Sequence, residues 1–251
     1  MVDKIDTHLI YGFHTLKMLL ERAPHRLKTI YALQERDDQR MQDLLLLAQT
    51  CKIPIKALSR GEIDKRLPNT AHQGIAAECF PPQIHHEDDL ITLIDHLKVP
   101  ALFLILDGVE DPHNLGACFR TADAAGAHAI ITPRNHSASL TPSARKVASG
   151  AAEIIPLIQV TNLARCLRML KDLDIRLIGT TMDAPRNLYQ TDLNGSIAIV
   201  LGSEGKGMRR LTLEECDELI SVPMQGLVTS LNVSVTAGVC LYEAMRQRCF
   251  T

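Results

Sequence analysis

The chain has 251 residues, of which 46% are hydrophobic and 22% charged, and its formal net charge is −2. This composition excludes a chain that is disordered throughout, because ample apolar surface with little net charge favours a compact fold. The longest apolar runs, 101–106 and 197–201, are as long as strands and fall far short of the ~20 residues of a membrane span. The first twenty residues lack a small-residue cleavage site, so we expect neither a signal peptide nor a membrane anchor.

The seven cysteines form no C-x-x-C pair and have no regular spacing. Such a set indicates a reducing cytoplasm rather than a disulfide framework or a zinc site, and we expect no bound metal. With no Trp, five Phe and four Tyr, the chain has too few aromatic residues for an RNA-binding surface built from stacked rings. Composition alone therefore does not favour nucleic-acid binding.

The first part of the chain, residues 1–80, carries a net charge of +2. Its apolar spacing predicts helices over 9–23 and 39–51, and strands over 27–33, 53–58 and the residues after Gly74. We expect a small α/β domain here. The next twenty residues, 81–100, carry −3 and begin with two prolines, which favours an extended linker and a domain boundary.

The remaining part, residues 101–251, alternates strands and helices more regularly. The predicted strands are 103–108, 128–133, 176–181, 196–203 and 219–224, and the predicted helices are 114–126, 161–172, 211–217 and 234–247. This alternation predicts a parallel sheet covered by helices on both faces. Ligands bind such sheets at the carboxyl ends of the strands, and three clusters of polar residues follow predicted strands here.

The first cluster, 107–126, contains Asn114 and Arg120. One interpretation is a helix capped by Asn114 with a solvated arginine. The other is that the two side chains share a helix face about two turns apart, where the planar fork of Arg120 grips a phosphate. Asp107, at the end of a strand, fits a structural role at least as well as a functional one.

The second cluster, 200–208, has glycines at 202, 205 and 207 after a strand, so its backbone can approach a ligand closely. It matches neither G-x-G-x-x-G nor a P-loop, and a plain tight turn is the alternative. Glu204 within it can accept a hydrogen bond from a hydroxyl or pair with Arg120. The third cluster, 220–244, contains Ser230, Asn232 and Ser234 before a long helix, which fits either helix capping or a loop around an adenine or methionine group.

Together the clusters resemble the three motifs of the SpoU (TrmH) family of RNA ribose 2′-O-methyltransferases. The matching residues are Asn114 with Arg120, L-G-S-E-G-x-G-M at 201–208, and P-M-x-G-x-x-x-S-L-N-V-S-V at 223–235. Residues 10–21 and 72–77 resemble the L30e-like substrate-binding domain that some members carry. The resemblance implies a SPOUT-type α/β domain with a deep trefoil knot, a rare exception to unknotted topology.

The resemblance also implies the roles of individual residues. Those at the reaction centre are Arg120, Asn114, Glu204, Ser230 and Asn232. Those around S-adenosylmethionine, the methyl donor, are Gly202, Gly205, Gly207, Val222, Met224, Leu227, Leu231 and Ser234. An arginine stays protonated, so we expect Arg120 to clamp a substrate phosphate and stabilise a developing oxyanion rather than to act as a base. The implied assembly is a homodimer with the last helix in its interface.

The implied substrate is a guanosine 2′-OH in 23S ribosomal RNA, with tRNA as the alternative. A non-catalytic RNA-binding or ribosome-assembly protein is a second reading, and a nucleotide-dependent oxidoreductase is disfavoured because the first strand lacks G-x-G-x-x-G. Arg145, Lys146, Arg209 and Arg210 lie near the expected site, and we expect them to form a positive patch that makes RNA binding sensitive to salt.

Overall fold

The structure is a computed structural model that describes residues 7–81 and 85–250. The chain divides into two compact units, residues 1–83 and residues 84–251. In the first unit, four strands form one sheet in the order β1-β4-β2-β3. They are β1 (His8–Tyr11), β2 (Leu27–Leu33), β3 (Ile55–Leu58) and β4 (Ile75–Cys79). β4 runs antiparallel to β1 and β2, whereas β3 is parallel to β2.

Three helices accompany this sheet: α1 (Phe13–Arg22), α2 (Gln39–Thr50) and α3 (Arg60–Arg66). Leu16 and Leu19 of α1, Ile30 of β2 and Met41 of α2 are buried together with Ile75 of β4. This unit therefore has an apolar interior of its own, as expected for a small α/β domain.

The helix predicted over 9–23 begins too early, because residues 8–11 form strand β1. Gly12 separates strand from helix with a φ of 93°, and its N–H donates to the carbonyl of Ile75 in β4. A φ in this range favours glycine. The pairing partner of β1 is distant in sequence, so local periodicity gives no sign of it.

The extended linker predicted over 81–100 is also wrong, because a helix, α4 (Glu87–His96), occupies half of it. The acidic run forms the first turn of this helix, where negative charge is favourable. The Asp89 carboxylate accepts a hydrogen bond from the N–H of His86 at 2.8 Å. Leu90 is fully buried against the second unit's core. Residues 82–84, including the second proline, lie outside the described residues.

The second unit contains a sheet of seven parallel strands in the order β7-β6-β5-β10-β8-β11-β9. The strands are β5 (Leu102–Asp107), β6 (Ala129–Pro133), β7 (Leu157–Val160), β8 (Arg176–Thr180), β9 (Arg186–Asn187), β10 (Ile197–Gly202) and β11 (Glu218–Ser221). The predicted parallel α/β architecture is confirmed. β7 and β9, which the sequence patterns did not indicate, lie at the two edges.

Helices cover both faces of this sheet. They are α5 (Pro112–Ala124), α6 (Pro142–Ala148), α7 (Leu163–Asp172), α8 (Arg210–Glu215) and α9 (Val233–Cys249). Residues of α5, α6 and α9 contribute to the core on one face, and residues of α4, α7 and α8 contribute to the other. Within the described part of the chain, no helix has the length and apolarity to cross a bilayer.

The strand order changes direction between β5 and β10. The chain continues from β5 to β6 and β7 on one side, whereas β10 and β8 lie on the other. Crevices at the carboxyl ends of strands at such a switch point are the usual ligand sites of open parallel sheets. Asp107 and Gly202, which end these two strands, lie directly opposite each other in the ladder.

Candidate active site

A cavity of about 420 Å³ opens at the carboxyl ends of β5 and β10. Its lining includes residues that follow both strands and the first residue of α9. These are Asp107–Asp111, Asn114, His136, Ser203, Glu204, Lys206–Arg209 and Val233. Its volume lies within the range of small-molecule and nucleotide sites. Asn114 and Glu204, which belong to different motifs of the sequence, meet in this cavity.

Glu204 is the centre of a hydrogen-bond network in the cavity. Its Oε1 accepts from Nδ2 of Asn114 at 3.0 Å, from Nδ2 of Asn232, and from the N–H of Val233 at 3.4 Å. Nδ2 of Asn232 also donates to Oδ1 of Asn114 at 3.0 Å. One carboxylate thus joins segments that lie on either side of the sheet's switch point.

Asn232 also caps helix α9. Its Oδ1 accepts from the N–H of Ser234 at 2.9 Å and from the Ser234 hydroxyl at 2.6 Å. The capping role considered from the sequence is therefore real, and it coexists with the contact to Glu204.

All three hydrogen bonds to Glu204 end on Oε1, and its Oε2 has no partner among the described residues. The residue is exposed at the cavity mouth. A carboxylate held on one oxygen and open on the other can accept a hydrogen bond from a ligand hydroxyl. It does not pair with Arg120, the second role considered for it.

The loop that carries Glu204 is closed on itself. The N–H of Ser203 donates to the carbonyl of Gly207 at 3.1 Å, and the N–H of Gly207 donates back at 2.9 Å. A Cβ on Gly202 would lie 2.1 Å from the carbonyl carbon of Gly207 and the nitrogen of Met208. Glycine is therefore required at 202 by the chain crossing over it, while Gly205 and Gly207 are exposed.

Arg120 lies apart from this network. It is exposed, does not line the cavity, and has no hydrogen-bond or ion-pair partner among the described residues. The expectation that it shares a face with Asn114 is wrong, because six helical steps of about 100° leave the two side chains some 120° apart. Its face is that of His113, seven residues earlier and likewise exposed.

Asn114 is not the cap of its helix. Asp111 has that role, with its Oδ1 accepting from the N–H of His113 at 2.8 Å, and Pro112 occupies the first helical position. The Asn114 side chain is consequently free for Glu204 and Asn232. The alternative interpretation of this cluster, a capped helix, is thus correct that the helix is capped, but the capping residue is Asp111 and not Asn114.

The segment between β11 and α9 is open. No backbone group of residues 223–231 has a hydrogen-bond partner within the described chain. Val222, Met224 and Leu231 are half-buried, whereas Ser230 is exposed and lies outside the Glu204 network; Leu227 is fully exposed. A segment with unpaired backbone groups and partly shielded apolar side chains fits a ligand with a polar heterocycle and an apolar chain.

The basic residues expected to form a patch are mostly neutralised by partners. Arg145 pairs with the buried carboxylate of Glu153, and Arg210 pairs with Glu214 one turn along α8. Arg209 bonds to Asp107, a pair that the sequence patterns did not predict. Of the four basic residues, only Lys146 has no partner among the described residues. Bases paired in this way give a weaker local positive potential than the sequence suggested.

The cysteines near the site are not nucleophiles. Burial raises the pKa of the Cys118 thiol in α5 to about 12, and it raises the pKa of Cys216 after α8 to about 12. Both thiols therefore stay protonated at neutral pH. All seven cysteines are free. No cysteine of the described chain lines the cavity, whose polar side chains are carboxylates, an amide, a hydroxyl and the basic groups of His136, Lys206 and Arg209.

Comparison with known proteins identifies the family of the chain. The model of the SpoU rRNA Methylase family matches residues 101–242, and the model described as RNA 2′-O ribose methyltransferase substrate binding matches residues 9–85. The chain therefore belongs to the SpoU rRNA methylase family.

Individual relatives extend this result. The 23S rRNA (guanosine-2′-O-)-methyltransferase RlmB of Pectobacterium atrosepticum is 52% identical over 96% of this chain and 99% of its own length. The crystal structure of the SpoU methyltransferase AviRb from Streptomyces viridochromogenes has a TM-score of 0.75 at 24% identity, covering 96% of this chain and 90% of that one. The A. aeolicus TrmH/SpoU tRNA modifying enzyme has a TM-score of 0.55 at 28% identity, over 64% of this chain and 83% of that one.

Proposed function

We propose that this protein transfers a methyl group from S-adenosylmethionine to the ribose 2′-OH of a guanosine in 23S ribosomal RNA. The observation that carries the proposal is the meeting of Asn114, Glu204 and Asn232, one from each motif, at Oε1 of the Glu204 carboxylate, which leaves Oε2 open. A ribose hydroxyl is a weak nucleophile, so the protein has to orient it and receive its hydrogen bond.

The residues after β10 and β11 fit the methyl donor. The unpaired backbone groups of 223–231 suit an adenine, and half-buried Met224 and Leu231 suit the aliphatic part. In this proposal the closed loop 202–207, which follows β10, contacts the same ligand. S-adenosylmethionine supplies a sulfonium methyl group as the electrophile, which leaves the protein to bind, orient and exclude water.

The chain's own groups then divide the work at the 2′-OH. Oε2 of Glu204 accepts the hydrogen bond of the hydroxyl and draws its proton away as the oxygen attacks. Asn114 and Asn232 hold the carboxylate in one orientation, and exposed Ser230 contacts the ribose. Arg120, unpaired on α5, binds a neighbouring phosphate of the RNA through its fork and stabilises negative charge.

A homodimer through α9 is part of the proposal. Val235 and Tyr242 are seven residues apart on one face of the helix, with half-buried Val239 between them, and their exposed fractions are 50% and 47%. Exposed apolar residues aligned on one helix face are a common dimer contact. We also propose that the chain forms the deep trefoil knot of SPOUT domains, and that it works in the cytoplasm, where free cysteines persist.

The choice of 23S rRNA over tRNA is supported by the share of the chain that each relative matches. The rRNA enzyme matches nearly the whole chain, including the first unit, whereas the tRNA enzyme matches 64% of it. The substrate-binding match over residues 9–85 favours an enzyme rather than a passive assembly factor.

The test is incubation of the purified protein with tritiated S-adenosylmethionine and either protein-free 23S rRNA or bulk tRNA, followed by ribose mapping. Label in one 23S guanosine at its 2′-oxygen is the expected result. Label confined to tRNA would overturn the substrate and retain the reaction. If the protein binds the cofactor but labels neither RNA, and also fails to label assembling ribosomal particles, the enzymatic proposal is overturned.

A further inference from the structure

Asp107 has a side chain that is fully buried, although it is an acid at the end of β5 beside an open cavity. Its only cationic partner among the described residues is Arg209, whose side chain is 51% exposed. Burying a carboxylate is unfavourable unless it is paired and fully hydrogen-bonded. The burial of an acid at this position is therefore explained by the group that it binds.

Arg209 satisfies the Asp107 carboxylate with two hydrogen bonds and one ion-pair contact. The N–H of Arg209 donates to Oδ2 at 2.8 Å, Nε donates to Oδ1 at 2.6 Å, and Nη2 lies 2.5 Å from Oδ1. The backbone contact fixes the chain position of Arg209, and the two guanidinium contacts fix its side chain. A planar fork on a carboxylate defines geometry more narrowly than a lysine does.

This pair lies at the base of the loop that carries Glu204. Asp107 is opposite Gly202 in the ladder between β5 and β10, and Arg209 follows the loop's last residue. The loop is thus closed twice, once by the mutual hydrogen bonds of Ser203 and Gly207 and once by the bond of its exit to β5. The first closure shapes the loop, and the second fixes its position on the sheet.

We propose that Asp107 and Arg209 are positioning residues that hold the 202–208 loop so that the carboxylate of Glu204 faces the ribose. This inference rests on the proposed methyl transfer. In this proposal Arg209 binds the Asp107 carboxylate rather than an RNA phosphate, although its exposure and charge would also suit a phosphate. Arg210, paired with Glu214 on the surface of α8, has no such position and serves as the matched control.

The test is a double-mutant cycle on kcat with the wild type, D107N, E204Q and the double variant, all measured at saturating RNA and cofactor. A displaced carboxylate lowers kcat, and we expect D107N to do so about 10- to 100-fold while the KM for RNA stays within about twofold. In the E204Q background D107N should have little further effect, because it acts through Glu204. If the fold-losses of D107N and E204Q multiply in the double variant, the inference is overturned.

The salt dependence of RNA binding provides a second, independent readout. A phosphate contact that is removed reduces the slope of log Kd against log salt by about one. We expect R209A and the control R210A to leave that slope unchanged while only R209A lowers kcat. A reduced slope for R209A, with kcat retained at saturating RNA, would make Arg209 an RNA contact and refute the positioning role.

Folding is checked by circular dichroism and thermal unfolding. If D107N does not fold, R209K replaces it in the cycle, since lysine keeps the charge and loses the fork; a loss of kcat smaller than that of R209A is then expected. Full activity of R209K and R209A would contradict the inference. Absence of methyl transfer by the wild type would instead refute the proposed function, so the two failures are distinguishable.

Discussion

Two regions of the second unit differ in how many of their polar groups are hydrogen-bonded within the chain. Around Glu204, hydrogen bonds from Asn114, Asn232 and the start of α9 fix one carboxylate oxygen. In residues 223–231, by contrast, no backbone group has a hydrogen-bond partner in the described chain. Both regions lie at the carboxyl ends of strands of one sheet, so their difference is not one of location in the fold.

The two regions are suited to different ligands. An acceptor that acts on a weak nucleophile works best when it is oriented before the substrate arrives, since reorganisation during the reaction raises the barrier. A segment that binds a cofactor can leave its backbone groups to the ligand. From the proposed function we therefore expect the acceptor side to be preorganised and the cofactor side to be completed on binding.

The largest effect is expected from Gly202→Ala, which places a side chain at the start of the loop that carries Glu204. The new Cβ would overlap the backbone of Gly207 and Met208 at 2.1 Å, so the loop cannot close and Glu204 is displaced. We expect methyl transfer to fall by about 100-fold or more, measured as initial rate on 23S rRNA. The control is Gly61→Ala in α3, where a Cβ meets nothing within 4 Å; equal losses in both variants would contradict this explanation.

Glu204→Gln is the next largest. The amide keeps the shape and replaces one oxygen by a donor. The network can therefore persist only if the remaining carbonyl oxygen accepts its hydrogen bonds, which leaves the NH2 group, a donor, facing the hydroxyl. We expect kcat to fall about 100-fold with the Kd for S-adenosylmethionine, measured by calorimetry, nearly unchanged. A parallel loss of cofactor affinity would mean that the acceptor and cofactor regions are not separate.

Arg120 tests whether an unpaired cation outside the cavity takes part at all. Arg120→Ala should raise the KM for RNA and lower kcat, and Arg120→Lys should recover only part of the loss, because a lysine lacks the planar fork. We expect about a tenfold difference between lysine and arginine in kcat/KM, from the loss of one bidentate contact. Near-wild-type activity of the lysine variant with a shifted pH profile would refute the phosphate clamp.

The smallest effect is expected at the far end of α9, at Glu243. The Arg246 guanidinium and the Gln247 amide hold the pKa of this carboxyl below its ordinary value. A lowered pKa stabilises the fold above the ordinary value, and this stabilisation is lost as pH falls through the lowered one. Glu243→Gln should therefore weaken the dependence of the melting temperature on pH in the acid range. The corresponding change in the free energy of unfolding is about 1 kcal/mol at most, and kcat at neutral pH should be unchanged. An undiminished acid slope would contradict the assignment.

Much of the second unit could be predicted from sequence because its central strands are continuous apolar runs. Strands β5, β6, β8 and β10 lie close to their predicted bounds. The edge strand β9 has two residues and β7 has four, too few for a pattern. In the first unit, β1 continues the apolar spacing of α1, and the boundary between them depends on the pairing of β1 with β4 and on the turn at Gly12.

The site divides in the same way. The motifs identify Asn114, Glu204 and Asn232 as polar residues that follow strands, but their hydrogen bonds depend on how distant loops meet. The pair of Asp107 and Arg209 spans 102 residues of sequence and has no local signature. The sequence interpretation places Arg120 on the helix face of Asn114, whereas the 100° step of an α-helix places residues six apart about 120° from each other.

The claim that the acceptor is built before the cofactor arrives can be tested by hydrogen–deuterium exchange with and without S-adenosylhomocysteine, the cofactor's demethylated form. We predict strong new protection in residues 223–231, with little change in 203–207 and at the start of α9, which are already hydrogen-bonded. Strong new protection in 203–207, or none in 223–231, would contradict the account.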